Sequence, residues 1–294
     1  MSQETKKLVS KEVAILSSIL IPITFVLFVD MIKKIAVSKL IKKNNNKVNF
    51  NDYSDYSKVI EYEINERQSY REAELKIFLR YSFIYPLILV IIFLIIGNSI
   101  NFNIIEVYFS SQYNKTIYEK ILGTFTILII NFILYSGLLI QFFMNIESLY
   151  PKTSFCFFME NIYGPILEEF IYRGLLFTLL KEAGYNGIKS ALYSSLTFSL
   201  SHFRHVFDIY FSKKEIPRLF FQSFYTLLFG FYTCYAYNYS GTIFAPILLH
   251  GICNTLQMPR FNYLSYCSKI KKNIISIVYI IGILSWIILI KIFH

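Results

Sequence analysis

Long apolar runs, broken by short polar stretches that carry Gly, Asn or Lys, dominate this chain, and they predict membrane-crossing helices. The first run, about 13–31, has AILSSILIPITFVLFV at its centre and Pro22 as its kink point. A polar segment follows over about 32–76. Its run Lys42-Lys43-Asn44-Asn45-Asn46-Lys47 predicts a flexible insert, and its later half, Tyr53 to Glu74, an interfacial helix. Further spans are expected at about 77–97, 121–144, 165–180, 188–202, 218–237, 242–256 and 274–290. Between them lie a polar loop at 98–120 and a Phe- and Tyr-rich interfacial loop at 145–163. Pro165 is expected in the first turn of its helix. The fold class is all-α: a polytopic membrane protein with about eight transmembrane helices around an intramembrane polar cavity. Residues 1–294 read as one domain, with its chemistry-bearing core at about 160–258 and no internal repeat.

Composition agrees. The chain is 55% hydrophobic and 18% aromatic, with a mean hydropathy of +0.47, too apolar for a soluble globule. A net charge of +10 raises nucleic acid as a partner, but the placement of the basic residues reads as topology instead. Nineteen Lys and Arg fall in the 32–76, 145–164, 203–218 and 258–272 segments, against seven in the alternate set. That bias puts the 32–76, 203–218 and 258–272 loops in the cytosol and both termini on the far side. Cys156, Cys234, Cys253 and Cys267 show no Cys-x-x-Cys spacing and read as small core residues in a reducing or membrane-buried setting. The first apolar run is long, and no small-residue cleavage site follows it, so it reads as a retained span.

Charged and polar residues inside the spans carry the chemistry. Gly164-Pro165-Ile166-Leu167-Glu168-Glu169-Phe170-Ile171-Tyr172-Arg173 sets three charges in an apolar helix, where bare charge is costly unless paired or in use. Four apart, Glu169 and Arg173 can pair, while Glu168 is turned about 100° away without a local partner. Phe198 and His202 share a helical face, with His205 close to it, and His250 and Asn254 lie one turn apart on another span. A carboxylate in a dry cavity can act as general base toward water, and a histidine can orient that water. A second histidine and an amide can donate to a developing oxyanion. These parts suit amide hydrolysis. Glu168, His202 and His250 also make a possible zinc hydrolase set. His-Glu-x-x-His, Gly-x-Ser-x-Gly and Cys–His signatures are missing from the sequence.

Glu168-Glu169-x-x-x-Arg173, Phe198-x-x-x-His202 and His250-x-x-x-Asn254, in that order, resemble the CAAX protease and bacteriocin-processing superfamily of intramembrane proteases. The type II CAAX prenyl endopeptidase branch (Ras-converting enzyme) is the nearest likeness. That branch tends to follow the span-five histidine with further histidines; here Arg204 stands in the middle and His205 is kept. The motifs cover 168 to 254, and the N-terminal third carries no family signal. The resemblance implies that Glu168 and His202 activate water, that His250 and Asn254 stabilise the oxyanion, and that Glu169 and Arg173 support the site or bind a substrate carboxylate. It further implies removal of the C-terminal tripeptide from prenylated Cys-a-a-X proteins. It places the enzyme in the endoplasmic reticulum membrane, multi-pass, with the active site open to the cytosol, and takes membrane lipids and prenylated substrates as partners. No cofactor is expected on the glutamate reading; zinc enters only on the metal reading. A superfamily peptidase for a non-prenylated peptide, and a proton-relaying transporter or helix-clasping scaffold, are the competing functions. The missing inverted repeat weighs against transport.

Overall fold

A computed structural model describes residues 11–44, 69, 71–73, 75–80, 84, 115–146, 153–202, 216–259, 261 and 263–293. Every regular element among them is helical. We number them α1 (Lys11–Asn44), α2 (Ile117–Leu134), α3 (Ser136–Phe143), α4 (residues 154–182), α5 (Gly187–Ser201), α6 (Ile216–Ser240), α7 (Phe244–Leu256), α8 (Tyr263–Tyr266) and α9 (Lys269–Ile292).

Helix ends depart from the hydropathy boundaries in a consistent way. α1 passes through Pro22 and continues beyond its apolar run to Asn44, so the insert expected from residue 32 begins as helix. Hydropathy marks where a chain leaves apolar surroundings; the backbone can stay helical in water, here with an Asp30–Lys34 ion pair one turn apart at 2.8 Å. α2 starts at Ile117, inside the expected 98–120 loop, because Thr116 and Glu119 form a capping box. The Glu119 amide donates to Thr116 Oγ1 at 3.2 Å, and the Thr116 amide donates to Glu119 Oε2 at 2.7 Å. The expected third span is two helices in series, broken at Tyr135. The expected interfacial loop ends by Thr153, since Ser154 already opens α4. Of the expected second span, and of the flexible insert beyond Asn44, nearly all lies outside the described residues.

Three described helices are long and apolar enough to cross a membrane: Ala14–Ile32 within α1, Ile117–Leu134 and Lys269–Ile292, while Phe244–Leu256 is apolar but shorter. α9 keeps Ile277, Ile280, Ile281 and Leu284 exposed, a hydrocarbon face suited to lipid. Its other side meets α2 and α3 through glycine. A Cβ on Gly282 would stand 2.7 Å from the Ile133 carbonyl oxygen, so only hydrogen lets the backbones approach so closely.

α4 runs through the core. Tyr172, Leu175, Leu176, Leu179 and Leu180 are all at most 1% exposed, and Phe198 of α5 packs edge-on against Tyr172 at 5.0 Å between centroids. α5 presents Ser190, Ser194, Ser195 and Ser199 inward. Its Ser195 backbone lies 3.0 Å from where a Cβ would sit on Gly230 of α6. Two of these hydroxyls donate to backbone, Ser194 Oγ to the Tyr172 carbonyl at 2.7 Å and Ser199 Oγ to that of Ser223 at 2.5 Å. Small residues therefore bring α4, α5 and α6 close, and the side chains singled out in the sequence project from this junction.

Candidate active site

The site begins with proline. Pro165 stands in the first turn of the α-helical stretch Gly164–Glu169, as expected, but that stretch continues a longer helix, α4, that opens eleven residues earlier at Ser154. It offers no N–H to the carbonyls of Asn161 and Glu160, four and five residues back. The backbone widens to π geometry over Met159–Tyr163, where the Gly164 amide reaches the Met159 carbonyl, and again over Phe170–Phe177. Gly164–Glu169, between the two wide segments, carries the paired glutamates.

The two carbonyls that Pro165 cannot serve face α7. Asn254 Nδ2 donates to the Glu160 carbonyl at 2.8 Å. The Asn161 carbonyl oxygen lies 2.5 Å from where a Cβ on Gly251 would be. The absence of a side chain at Gly251 thus lets α7 press its two polar neighbours, His250 and Asn254, against α4.

Both carboxylates converge on one imidazole. Glu169 Oε1 stands 2.7 Å from His250 Nδ1, and Glu168 Oε2 lies 3.8 Å from His250 Nε2. A carboxylate only accepts, so Glu169 fixes a proton on Nδ1 and aims Nε2 at Glu168 and the cavity. The other Glu169 oxygen, Oε2, lies 3.2 Å from Arg173 Nε, with both side chains fully buried. The expected Glu169–Arg173 pair is present, and Glu169 orients His250 as well. Arg173 has no exposed surface, so it acts from behind the site and is closed to a substrate carboxylate. Its guanidinium carbon lies 4.5 Å from the Phe198 ring centroid, a cation–π contact in dry surroundings.

Phe198 also meets His202 edge-on at 4.8 Å and His250 at 5.9 Å. This one ring therefore spaces both histidines and covers the buried cation. His202 caps α5, and its Nδ1 contacts the Phe198 carbonyl at 2.9 Å; that oxygen accepts, so Nδ1 carries the proton and Nε2 is left as the acceptor of the neutral ring.

Glu168, His202, His250 and Asn254 line one cavity of about 530 Å³. A second cavity, about 480 Å³, shares His202, His250 and Asn254 and is walled by aromatic and thioether groups from Phe221, Tyr225, Phe229 and Met258. His205 lies outside the described residues. Among the described residues, no three His, Cys, Asp or Glu side chains converge as a metal-ion ligand set, so the zinc set of Glu168, His202 and His250 does not fit this geometry.

Several contributors escaped the sequence reading. Phe25, Val29, Arg71, Leu75 and Phe78 wall the first cavity, and Arg71 Nε donates to Glu160 Oε1 at 2.9 Å, so the N-terminal third closes the site. Phe229 packs on His250 at 5.2 Å. Arg218 and Gln222 line both cavities. Gln222, polar within an apolar span and one turn from Arg218, was the available signal for that face.

Comparison with known proteins bears on this geometry. Residues 150–256 match the family described as Type II CAAX prenyl endopeptidase Rce1-like. A human CAAX prenyl protease 2 is 27% identical over 106 residues, 34% of this chain and 32% of that protein. A CAAX prenyl protease 2 of Caenorhabditis elegans is 31% identical over 104 residues, 34% of this chain and 39% of that protein. A probable CAAX prenyl protease 2 of Schizosaccharomyces pombe is 25% identical over 103 residues, 33% and 38% respectively. The chain thus spans about a third of the length of these curated relatives. No solved structure matches it.

Proposed function

From a segment that is similar to the type II CAAX prenyl endopeptidases, we propose that this protein is an intramembrane endopeptidase that removes the C-terminal tripeptide from prenylated Cys-a-a-X proteins. The observation that carries the reading is the meeting of Glu168, His202, His250 and Asn254, from three separate helices, in one cavity. Glu169 behind His250 turns that meeting into an oriented set.

A water held by the Glu168 carboxylate and His202 Nε2 loses a proton to Glu168 and attacks the scissile carbonyl. The oxyanion that forms accepts from the second Nδ2 hydrogen of Asn254, whose first is committed to Glu160. His250 Nε2 donates to the same oxygen when its ring carries a second proton. Glu168 then returns its proton to the leaving amine as the C–N bond breaks. Arg173, Phe198 and Glu169 hold the histidines from inside.

Hydrocarbon recognition falls to the second cavity, whose aromatic wall meets the same histidines. A prenyl chain favours an apolar site by about 0.8 kcal/mol per buried CH₂, which favours an enzyme that meets its substrate within the bilayer. In this reading the chain crosses the endoplasmic reticulum membrane about eight times as one domain, with its site open to the cytosol and membrane lipid around it. The test is turnover of a farnesylated Cys-a-a-X peptide by the purified full chain, with and without a strong chelator, beside the unprenylated peptide. Prenyl-dependent, chelator-resistant cleavage that is abolished in Glu168→Ala is expected; near-normal turnover by that variant refutes the assignment.

A further inference from the structure

Asn254 is the oxyanion donor of the mechanism above, and its carboxamide is fixed by the 2.8 Å donation from Nδ2 to the Glu160 carbonyl. Whatever holds that carbonyl in place therefore aims the remaining Nδ2 hydrogen at the substrate. The carbonyl belongs to the wide turn Met159–Tyr163, where Pro165, five residues on, has no N–H to hold it in the helical ladder.

Glu160 is gripped by its side chain as well. Arg71 Nε donates to Glu160 Oε1 at 2.9 Å, joining residues 89 positions apart. The same helical stretch of the N-terminal third packs on the wide turn. Leu75, one turn on from Arg71, is 7% exposed and clusters with Cys156, Met159 and Tyr163. Lys76 Nζ lies 5.7 Å from the centroid of the Phe155 ring. One residue, Glu160, thus carries a bond to the N-terminal stretch on its side chain and a bond to the oxyanion donor on its backbone. The Arg71–Glu160 pair is partly exposed, at 43% and 25%, so it adds little to stability. Alignment is the more sensitive quantity, because a donor displaced from a developing oxyanion loses rate steeply.

We propose that Arg71 is a positioning residue for the oxyanion donor, acting through Glu160 on Asn254. This proposal rests on the endopeptidase reading. Arg71 lies outside residues 150–256, the segment similar to the CAAX endopeptidases, so the N-terminal third aligns the reaction as well as walling the cavity.

The experiment measures kcat and KM on a farnesylated Cys-a-a-X peptide for the full-length wild type, Arg71→Ala, Arg71→Lys, Glu160→Ala and the Arg71→Ala/Glu160→Ala double variant. Arg71→Ala should lower kcat roughly fivefold with KM unchanged, the scale set by a partly exposed ion pair. Arg71→Lys should keep most of the rate. The double variant should be no slower than the slower single variant, since both substitutions cut one path. Single turnovers with enzyme in excess then compare Asn254→Ala with Arg71→Ala/Asn254→Ala, and the second substitution should add no further loss. An unchanged kcat in Arg71→Ala, a defect confined to KM, or losses that multiply in either double variant overturns the positioning role and leaves the endopeptidase standing. A wild type that cleaves no farnesylated peptide overturns both.

Discussion

Gly251→Ala isolates the contact that presents His250 and Asn254. The added methyl would stand 2.5 Å from the Asn161 carbonyl oxygen, against 3.4 Å or more for ordinary contact, so α7 and α4 must part by about 1 Å. Overpacking of this kind costs about 1–3 kcal/mol, and exchanging glycine for alanine within a helix returns about 1 kcal/mol. The net change in stability is therefore small. The site has no such compensation: the 2.7 Å His250–Glu169 and 2.8 Å Asn254–Glu160 hydrogen bonds both span the interface that opens. A misplacement of about 1 Å can cost about 100-fold in rate. We expect kcat on a farnesylated peptide to fall about 10- to 100-fold while the unfolding temperature in detergent moves by only a few degrees. Gly187→Ala, with no atom within 4 Å of the new methyl, is the control and should leave turnover unchanged. Turnover by Gly251→Ala within about threefold of wild type would show that the approach of α7 to Asn161 does not position the site, and would refute the reasoning.

Glu169→Ala strips the partner from a fully buried arginine and should cost about 3–5 kcal/mol, read as loss of folded protein on size-exclusion chromatography in detergent. Glu169→Gln combined with Arg173→Met should restore the fold by removing both charges, yet leave turnover low because His250 keeps no carboxylate at Nδ1. Pro165→Ala returns an N–H that competes with Asn254 for the Glu160 carbonyl; unfolding temperature should hold or rise while kcat falls, and an unchanged kcat would deny the proline its role.

The polar residues of the site were legible because charge and imidazole are conspicuous in apolar helices, and their i, i+4 spacing told which could pair. Hydropathy also exposed the all-helical class. What it could not mark was where a helix ends once it leaves the apolar run, as at α1 beyond residue 32, or where a capping box starts one early, as at Thr116. The N-terminal wall was hidden for another reason. Phe25, Val29 and Leu75 look like any lipid-facing residue in sequence, and Arg71 like any surface charge, until tertiary packing turns them toward the cavity.

The paired glutamates show how far local geometry reaches. An ideal helix turns adjacent residues about 100° apart, which gave Glu168 and Glu169 separate partners: cavity histidines for one, Arg173 for the other. Glu169 does pair with Arg173, but both glutamate side chains end on the same ring, Glu169 at Nδ1 and Glu168 facing Nε2. That convergence needs α7 within hydrogen-bonding distance of α4. Two residues with no ionisable group supply the approach, Pro165 by leaving carbonyls open on α4 and Gly251 by leaving room on α7. Reading charges alone finds the members of such a site. Finding its geometry requires asking which backbone carbonyl each proline leaves unserved and which glycine lies opposite it.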